Sequence, residues 1–297
     1  MKKSTIGIVF ALLAALCYSL VNPINKLIGE DISPLLSSSM LYFGTFLVAV
    51  MIFVYQLLFH KRDESQKLIK QDIPYLLLAS LFHAGAAISL LFGLRYISAS
   101  NASLLGSFEI ISTSLFAYFI FKEKITAYLW VGIIFIFAAC VTISLGDFNN
   151  LNFSLGTLLC LLSPICFGLA NNFLKKISKK SPASIISFIG FVNGIITLAI
   201  ALLIGERFTS ILATFIELGI GAVSYGVALV LFLLAERYVG AAKTSAFFSL
   251  APFIAIILSL IIFQENPNYT FYIGLSLMAV GTIFASLDSF LAKKSRE

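Results

Sequence analysis

Glu109 makes the clearest chemical demand in the sequence. It lies within residues 98–121, a stretch with no other charged residue. Read as a helix of about 24 residues rising 1.5 Å per residue, that stretch carries Glu109 about 16 Å in, close to its middle. If the surroundings are hydrocarbon, a carboxylate there is costly. It must face a water-filled cavity, meet a partner, or hold a proton. Such a group can carry protons, hold the amine of a substrate, or do both. The structural alternative is a protonated Glu bonded to a neighbouring Ser or backbone carbonyl.

Other polar residues fall at comparable depth. His83 can pair with Glu109 or contact a substrate, or it can be a neutral histidine bonded between helices. Tyr225 can turn its hydroxyl inward or simply pack. Asn22 and Asn171 need hydrogen-bond partners in lipid, so they should point to the interior. Ser103 and Ser107, like Ser245 and Ser249, are spaced four apart on one helix face, where small residues permit close packing and hydroxyls can line a cavity. Lys243 is either a cavity cation or a side chain reaching back to the interface. Lys26 can line an outer mouth or snorkel. Lys175 belongs to a charged cluster that reads as a topology signal. Pro164 and Pro252 fall mid-helix, where each removes a backbone hydrogen bond. Glu217 and Asp288, near helix ends, read as interfacial.

The elements that must position these residues are membrane-spanning helices. Of 297 residues, 60% are hydrophobic and 11% charged. A soluble domain carries about 25% charged residues. The mean hydropathy of +1.01 excludes a soluble enzyme, a disordered chain and a nucleic-acid binder. The apolar runs are long and continuous, unlike the alternating segments of a β-barrel. A span needs about 20 mostly apolar residues, and that template gives about ten: 4–25, 34–59, 73–94, 98–121, 126–145, 153–174, 182–204, 211–235, 240–263 and 269–291. The lysines and arginines set their orientation. With a cytoplasmic N-terminus, 16 fall on the inside and 3 (Lys26, Arg95, Arg207) on the outside, while Lys243 lies just within the ninth span. Both termini are therefore expected in the cytoplasm. The apolar run after Met1-Lys2-Lys3 lacks an A-x-A-like cleavage site and reads as the first span. Cys17, Cys140, Cys160 and Cys166 lie inside apolar runs and read as small hydrophobes.

The second half echoes the first. Arg95-Tyr96 aligns with Arg237-Tyr238, and in the same register Ser103 meets Ser245, Ser107 meets Ser249, Glu123 meets Glu265 and Gly132 meets Gly274. Near the start of each half, Gly7 meets Gly156, Cys17 meets Cys166 and Asn22 meets Asn171. Each half, 1–150 and 151–297, would hold five spans. Five is odd, so the halves cross the membrane in opposite directions, an arrangement typical of transporters.

The segments Ala99 to Glu123 and Ala241 to Glu265, each ending in Glu and followed by an apolar helix containing glycine (Gly132, Gly274), resemble the EamA-type drug/metabolite transporters over essentially the whole chain. The resemblance implies an all-α integral membrane fold of ten helices in two inverted five-helix repeats around a central cavity. It also implies carriage of small metabolites, often outward. Glu123 and Glu265 would then hold loops or gates. The ninth span keeps the family's proline at Pro252, whereas the fourth has Ile110 there, preceded by Glu109.

These observations point to a secondary transporter in the cytoplasmic membrane, an exporter of an amino acid or other amine-bearing metabolite, proton-coupled through Glu109. A channel or other non-enzymatic membrane module is the competing reading. No paired aspartates, Ser–His set, H-E-x-x-H or Walker A motif is present in the sequence, so neither intramembrane hydrolysis nor ATP drive is expected. The expected partners are a small-molecule substrate, lipid and protons, with a homodimer allowed; no cofactor, metal or nucleic acid is expected. The expected cavity is lined by the third, fourth, eighth and ninth spans, with the first and sixth contributing.

Overall fold

The computed structural model describes residues 3–59, 67–122, 125–145, 151–177, 180–239 and 241–294. Among the described residues, apart from one 3-10 turn and one π segment, the regular structure is α-helical. Ten helical stretches among the described residues are long and apolar enough to cross a membrane, and each agrees with the sequence reading to within four residues at either end. Spans two, three, five, six, seven and ten are single helices: α3 (Pro34–Leu58), α4 (Ile73–Gly93), α7 (Ala127–Leu145), α8 (Leu151–Lys176), α9 (Pro182–Leu203) and α14 (Tyr269–Lys294).

The other four are interrupted, each for an identifiable reason. The first comprises α1 (Lys3–Ser19) and α2 (Val21–Ile28). Pro23 has no N–H to offer the Ser19 carbonyl, and the backbone tightens so that Leu20 N–H bonds Cys17 O at 3.4 Å. The fourth breaks at Ser107 between α5 (Ala99–Gly106) and α6 (Phe108–Phe121). The ninth breaks at Ser249-Leu250 between α12 (Ala241–Phe248) and α13 (Ala251–Phe263), just before Pro252. These last two breaks fall at positions the repeat register equates. The eighth runs from α10 (Ile211–Ile220) through a π-helical stretch, Gly221–Val227, into α11 (Ala228–Val239). Pro164, by contrast, sits inside α8 without interrupting it.

Packing pairs the two halves element by element. The third span lies on the sixth as the eighth lies on the first, while the second packs on the seventh and the fifth on the tenth. Glycine contacts carry the same exchange. A methyl group on Gly7 would stand 2.7 Å from Tyr238 Cβ, and one on Gly156 would stand 2.6 Å from Tyr96 Cβ. Gly132 abuts Gly281 and Ala285, and Gly274 abuts Ile143 and Ala139. Residues equated by the repeat thus meet the same partners in the opposite half. Close approach of this kind is how helices associate in lipid, where apolar side chains gain nothing by leaving the solvent. The outward surface is correspondingly apolar, with Leu57, Leu203 and Ile211 among its exposed side chains.

The two ends of the bundle are tied differently. At the end bearing the termini, Lys180 pairs with Asp72 at 3.2 Å. It also donates to Lys67 O at 3.0 Å, joining the connections that follow the second and sixth spans. At the opposite end, Arg95 donates to Ile32 O at 2.8 Å and Lys26 to Leu94 O at 2.5 Å. There the Glu265 carboxylate accepts from Ser100, holding the end of the ninth span against the start of the fourth. Its sequence counterpart Glu123 lies outside the described residues.

With five crossings per half, Arg95 and Arg237 belong on opposite sides of the membrane. In a background with the native cysteines replaced, Arg95→Cys should label with an impermeant thiol reagent from one side only and Arg237→Cys from the other.

Candidate functional site

The break at Ser107 gives Glu109 its setting. It makes Glu109 a first-turn residue of α6, a short helix starting in the middle of the span. The positive end of a helix favours negative charge there. The Glu109 carboxylate accepts a hydrogen bond from Asn171 Nδ2 at 2.7 Å. Three further contacts fix α8 against α6 so that Asn171 faces Glu109. Ser112 donates to Pro164 O at 2.6 Å, and Asn172 donates to Thr113 O at 2.9 Å. Gly168 admits the α6 backbone, since a Cβ there would lie 2.7 Å from Thr113 N.

Around this pair lies a knot of aromatic rings drawn from both halves. The Tyr225 ring centroid is 6.1 Å from that of Tyr18, 6.3 Å from Tyr42 and 6.4 Å from Phe167. Phe248 closes on Tyr18 at 5.4 Å. His83 meets Phe167 edge-on at 5.2 Å. The Glu109 carboxylate lies within electrostatic reach of the Tyr18 and Tyr225 hydroxyls. Glu109, Asn171, Tyr225 and His83, proposed separately from sequence, therefore converge on one region.

Tyr225 is carried by the π stretch, whose backbone is pressed against α3. A Cβ on Gly44 would fall 2.1 Å from Leu218 O, and one on Gly221 would fall 2.0 Å from Leu41 O. The wider turn of a π segment rotates the residues beyond it, and such segments are frequent at functional sites. Here it turns Tyr225 toward Tyr18 and Tyr42.

Part of the region's hydrogen-bonding capacity is unmet within the protein. Both ring nitrogens of His83 are buried without a partner, as are the side-chain oxygen and nitrogen of Asn193 on α9 and the hydroxyl of Ser224. A buried group left unpaired costs about 1–3 kcal/mol. Donors and acceptors held in that condition near these tyrosines can recognise a small polar molecule presenting matching groups.

The remaining candidates are engaged elsewhere. Asn22 donates to Ser103 at 3.0 Å between the first and fourth spans. Ser107 bonds back to Leu104 O at the helix break. Ser249 donates to Ala246 O at 2.7 Å and lies 3.3 Å from Ser286 on α14. Lys243 is exposed in the first turn of α12.

Sequence reasoning missed Tyr18, Tyr42 and Asn193, and so the contribution of the second and seventh spans. Tyr18 directly follows the repeat-matched Cys17, the one signal that could have found it. Tyr42 and Asn193 sit in spans whose hydropathy shows no polar stripe. The rings of Tyr18, Tyr42, Phe167, Tyr225 and Phe248 pack on one another where the expected cavity would lie. A cavity of about 330 Å³ lies between spans four, five and six, lined by Phe108, Phe137 and Leu161 among others. Glu217, expected at the interface, is fully buried.

A sequence profile of the EamA-like transporter family matches residues 5–145 and again 154–287. The chain is 26% identical to an uncharacterized transporter of Clostridium kluyveri over 95% of its own length and 93% of the relative's. It is 26% identical to the uncharacterized transporter YyaM of Bacillus subtilis over 80% of each chain. A crystal structure titled only as that of a protein superposes with a TM-score of 0.69 at 13% identity, covering 95% of this chain and 96% of the other, which speaks to fold.

The Glu109–Asn171 contact can be weighed directly. A double-mutant cycle of Glu109→Ala and Asn171→Ala, read as thermal stability in detergent, should give a favourable coupling of about 0.6 kcal/mol and no more than about 1.7 kcal/mol. Additive effects would show that the pair does not hold.

Proposed function

Because the chain belongs to the EamA-like transporter family, a family of multi-pass membrane transporters, we propose that it is a secondary active exporter of a small amine-bearing metabolite, driven by protons through Glu109. The halves 1–150 and 151–297 act as inverted repeats that rock about the central aromatic knot. The chain resides in the cell membrane with both termini in the cytoplasm, a reading supported by the distribution of Lys and Arg. It carries out transport, not catalysis.

The observation that carries this reading is the placement of Glu109: a carboxylate in mid-span, bonded by Asn171, with Tyr18 and Tyr225 close to it. A carboxylate in hydrocarbon needs a positive partner or a proton. It can hold a proton or a substrate ammonium, but the two compete for the same oxygens. Opening the site to one side lets the proton leave to water and an ammonium take its place. Opening to the other side reverses the exchange. Alternation of the two occupants is the minimum that proton-coupled antiport requires. The aromatic rings give a cation further favourable faces. The unpartnered His83 and Asn193 can bond the remainder of the substrate.

The test uses purified protein in proteoliposomes with a panel of amine-bearing metabolites, with and without a pH gradient. Glu109→Gln keeps the shape and hydrogen bonding but cannot titrate. It should fold and express normally and lose transport driven by the pH gradient, while Glu109→Asp retains part. An unchanged response to the gradient in Glu109→Gln would remove Glu109 as the coupling residue.

A further inference from the structure

A second carboxylate is buried more completely than Glu109. Glu217 on α10 has no exposed surface. It lies toward the end of the bundle opposite the termini, where α2 and α3 of the first half meet α10 of the second. One of its oxygens contacts the Ser37 hydroxyl, and the other has no partner. The Ser37 hydroxyl also lies 3.3 Å from Asn25 Oδ1, and Asn25 Nδ2 donates to Val21 O at 2.8 Å. Ser37 and Asn25 are each only 3% exposed.

Proton counting decides what this chain of contacts is. Ser37 has one hydroxyl hydrogen and two acceptors in reach, Glu217 and Asn25 Oδ1. Asn25 cannot supply the missing proton from its oxygen, and its amide is committed to Val21 O. If Glu217 is ionised, one of the two contacts with Ser37 has no hydrogen in it, and a full negative charge faces an unpartnered direction. If Glu217 carries a proton, every contact is satisfied in one sense: Glu217 O–H donates to Ser37, Ser37 donates to Asn25 Oδ1, and Asn25 donates to Val21 O. The oxygen left over is then a neutral carbonyl, far cheaper to bury than a carboxylate.

Among the described residues no positive group offsets the site. Lys26 on α2 is turned to Leu94 O, and Glu206 is held by Ser33 at the start of α3. Tyr42 on α3 donates to His83 O, and Tyr225 on the π stretch lies among the rings. Both tyrosines are neutral at ordinary pH. No lysine or arginine among the described residues pairs with Glu217. Ser37 touches both acceptors directly, which leaves no room for a coordinated metal cation between them.

We propose that Glu217, Ser37 and Asn25 form a second proton-binding site, separate from Glu109, whose occupied form closes the contact between the halves at the end opposite the termini. The proton leaves when that contact opens to water, because solvation then favours the carboxylate. Binding at this site needs no substrate, so its test is independent of the transport reading.

Two measurements test it in purified protein. Infrared spectroscopy at neutral pH reads the carbonyl stretch of un-ionised carboxylic acids. Glu109→Gln should retain such a band, and Glu109→Gln with Glu217→Gln should lose it. Spin labels on the exposed positions Leu27→Cys and Leu212→Cys, with native cysteines replaced by alanine, read the separation of α2 and α10. Raising the pH should lengthen that distance in the parent and leave it fixed in Glu217→Gln, whose amide still donates to Ser37. An infrared band identical in the single and double variants overturns the proposal. So does a separation that shifts with pH regardless of Glu217, or one that responds to added sodium at constant pH in place of protons.

Discussion

Hydrocarbon offers no hydrogen bonds, so every polar group sent into it must bring its partner along. That constraint orders this molecule more than any apolar contact does. Side-chain hydroxyls mid-span return to the carbonyl one turn back, as Thr45, Ser103, Ser114 and Ser259 do. Groups that cannot be satisfied locally reach across helices and thereby fix how the helices meet. Ser112 and Asn172 dock the sixth span on the fourth. Ser39, bonded to Gly194 O at 2.8 Å, docks the second on the seventh. Among the groups left over are His83, Asn193 and Ser224. The satisfied polar groups thus build the bundle.

Symmetry supplies the scaffold and departures from it supply the chemistry. Gly7 and Gly156 receive equivalent neighbours from opposite halves, as do Gly132 and Gly274. Yet Asn22 bonds Ser103 within its own half, while its counterpart Asn171 crosses to Glu109. The fourth and ninth spans break at equated positions by different means. In the ninth, Pro252 cannot donate to Phe248 O. In the fourth there is no proline, and Ser107 bonds back to Leu104 O at the break, with Glu109 in the first turn beyond it. The fourth span thus carries an ionisable residue one position before the place where the ninth carries its proline.

The number of spans, their limits and the repeat were legible because they rest on one-dimensional quantities: run length, charge placement and register. Glu109 and His83 were legible because an ionisable residue inside an apolar run stands out by type. Tyr18 and Tyr42 were not, because tyrosine in a chain with 11 Tyr and 29 Phe carries no signal until its neighbours are known. Glu217 was misplaced for a related reason. Counting residues from a span's end gives depth along the helix but says nothing of facing. It lies six residues into α10, shallow enough to reach the interface had it faced lipid. It faces Ser37 across the contact with α3 instead. Ser107, Ser249 and Asn22 show the converse error, since position on an inward-looking face did not translate into contact with the central rings.

The same contacts indicate where the bundle can change shape. Helices that meet backbone to backbone through glycine have no slack, because a shift of a few tenths of an ångström brings atoms into overlap. The fifth and tenth spans, joined at Gly132, Gly274 and Gly281, are of this kind. Interrupted helices differ, since a break already lacks hydrogen bonds that bending would have to sacrifice. The first, fourth and ninth spans break toward their middles, and the eighth changes helical pitch beside them. All four lend side chains to the central region: Tyr18, Glu109, Phe248 and Tyr225. Any rearrangement that opens the aromatic knot must therefore pass through segments whose backbone is already loosened. Glu109, in the first turn beyond one break, moves with its pivot.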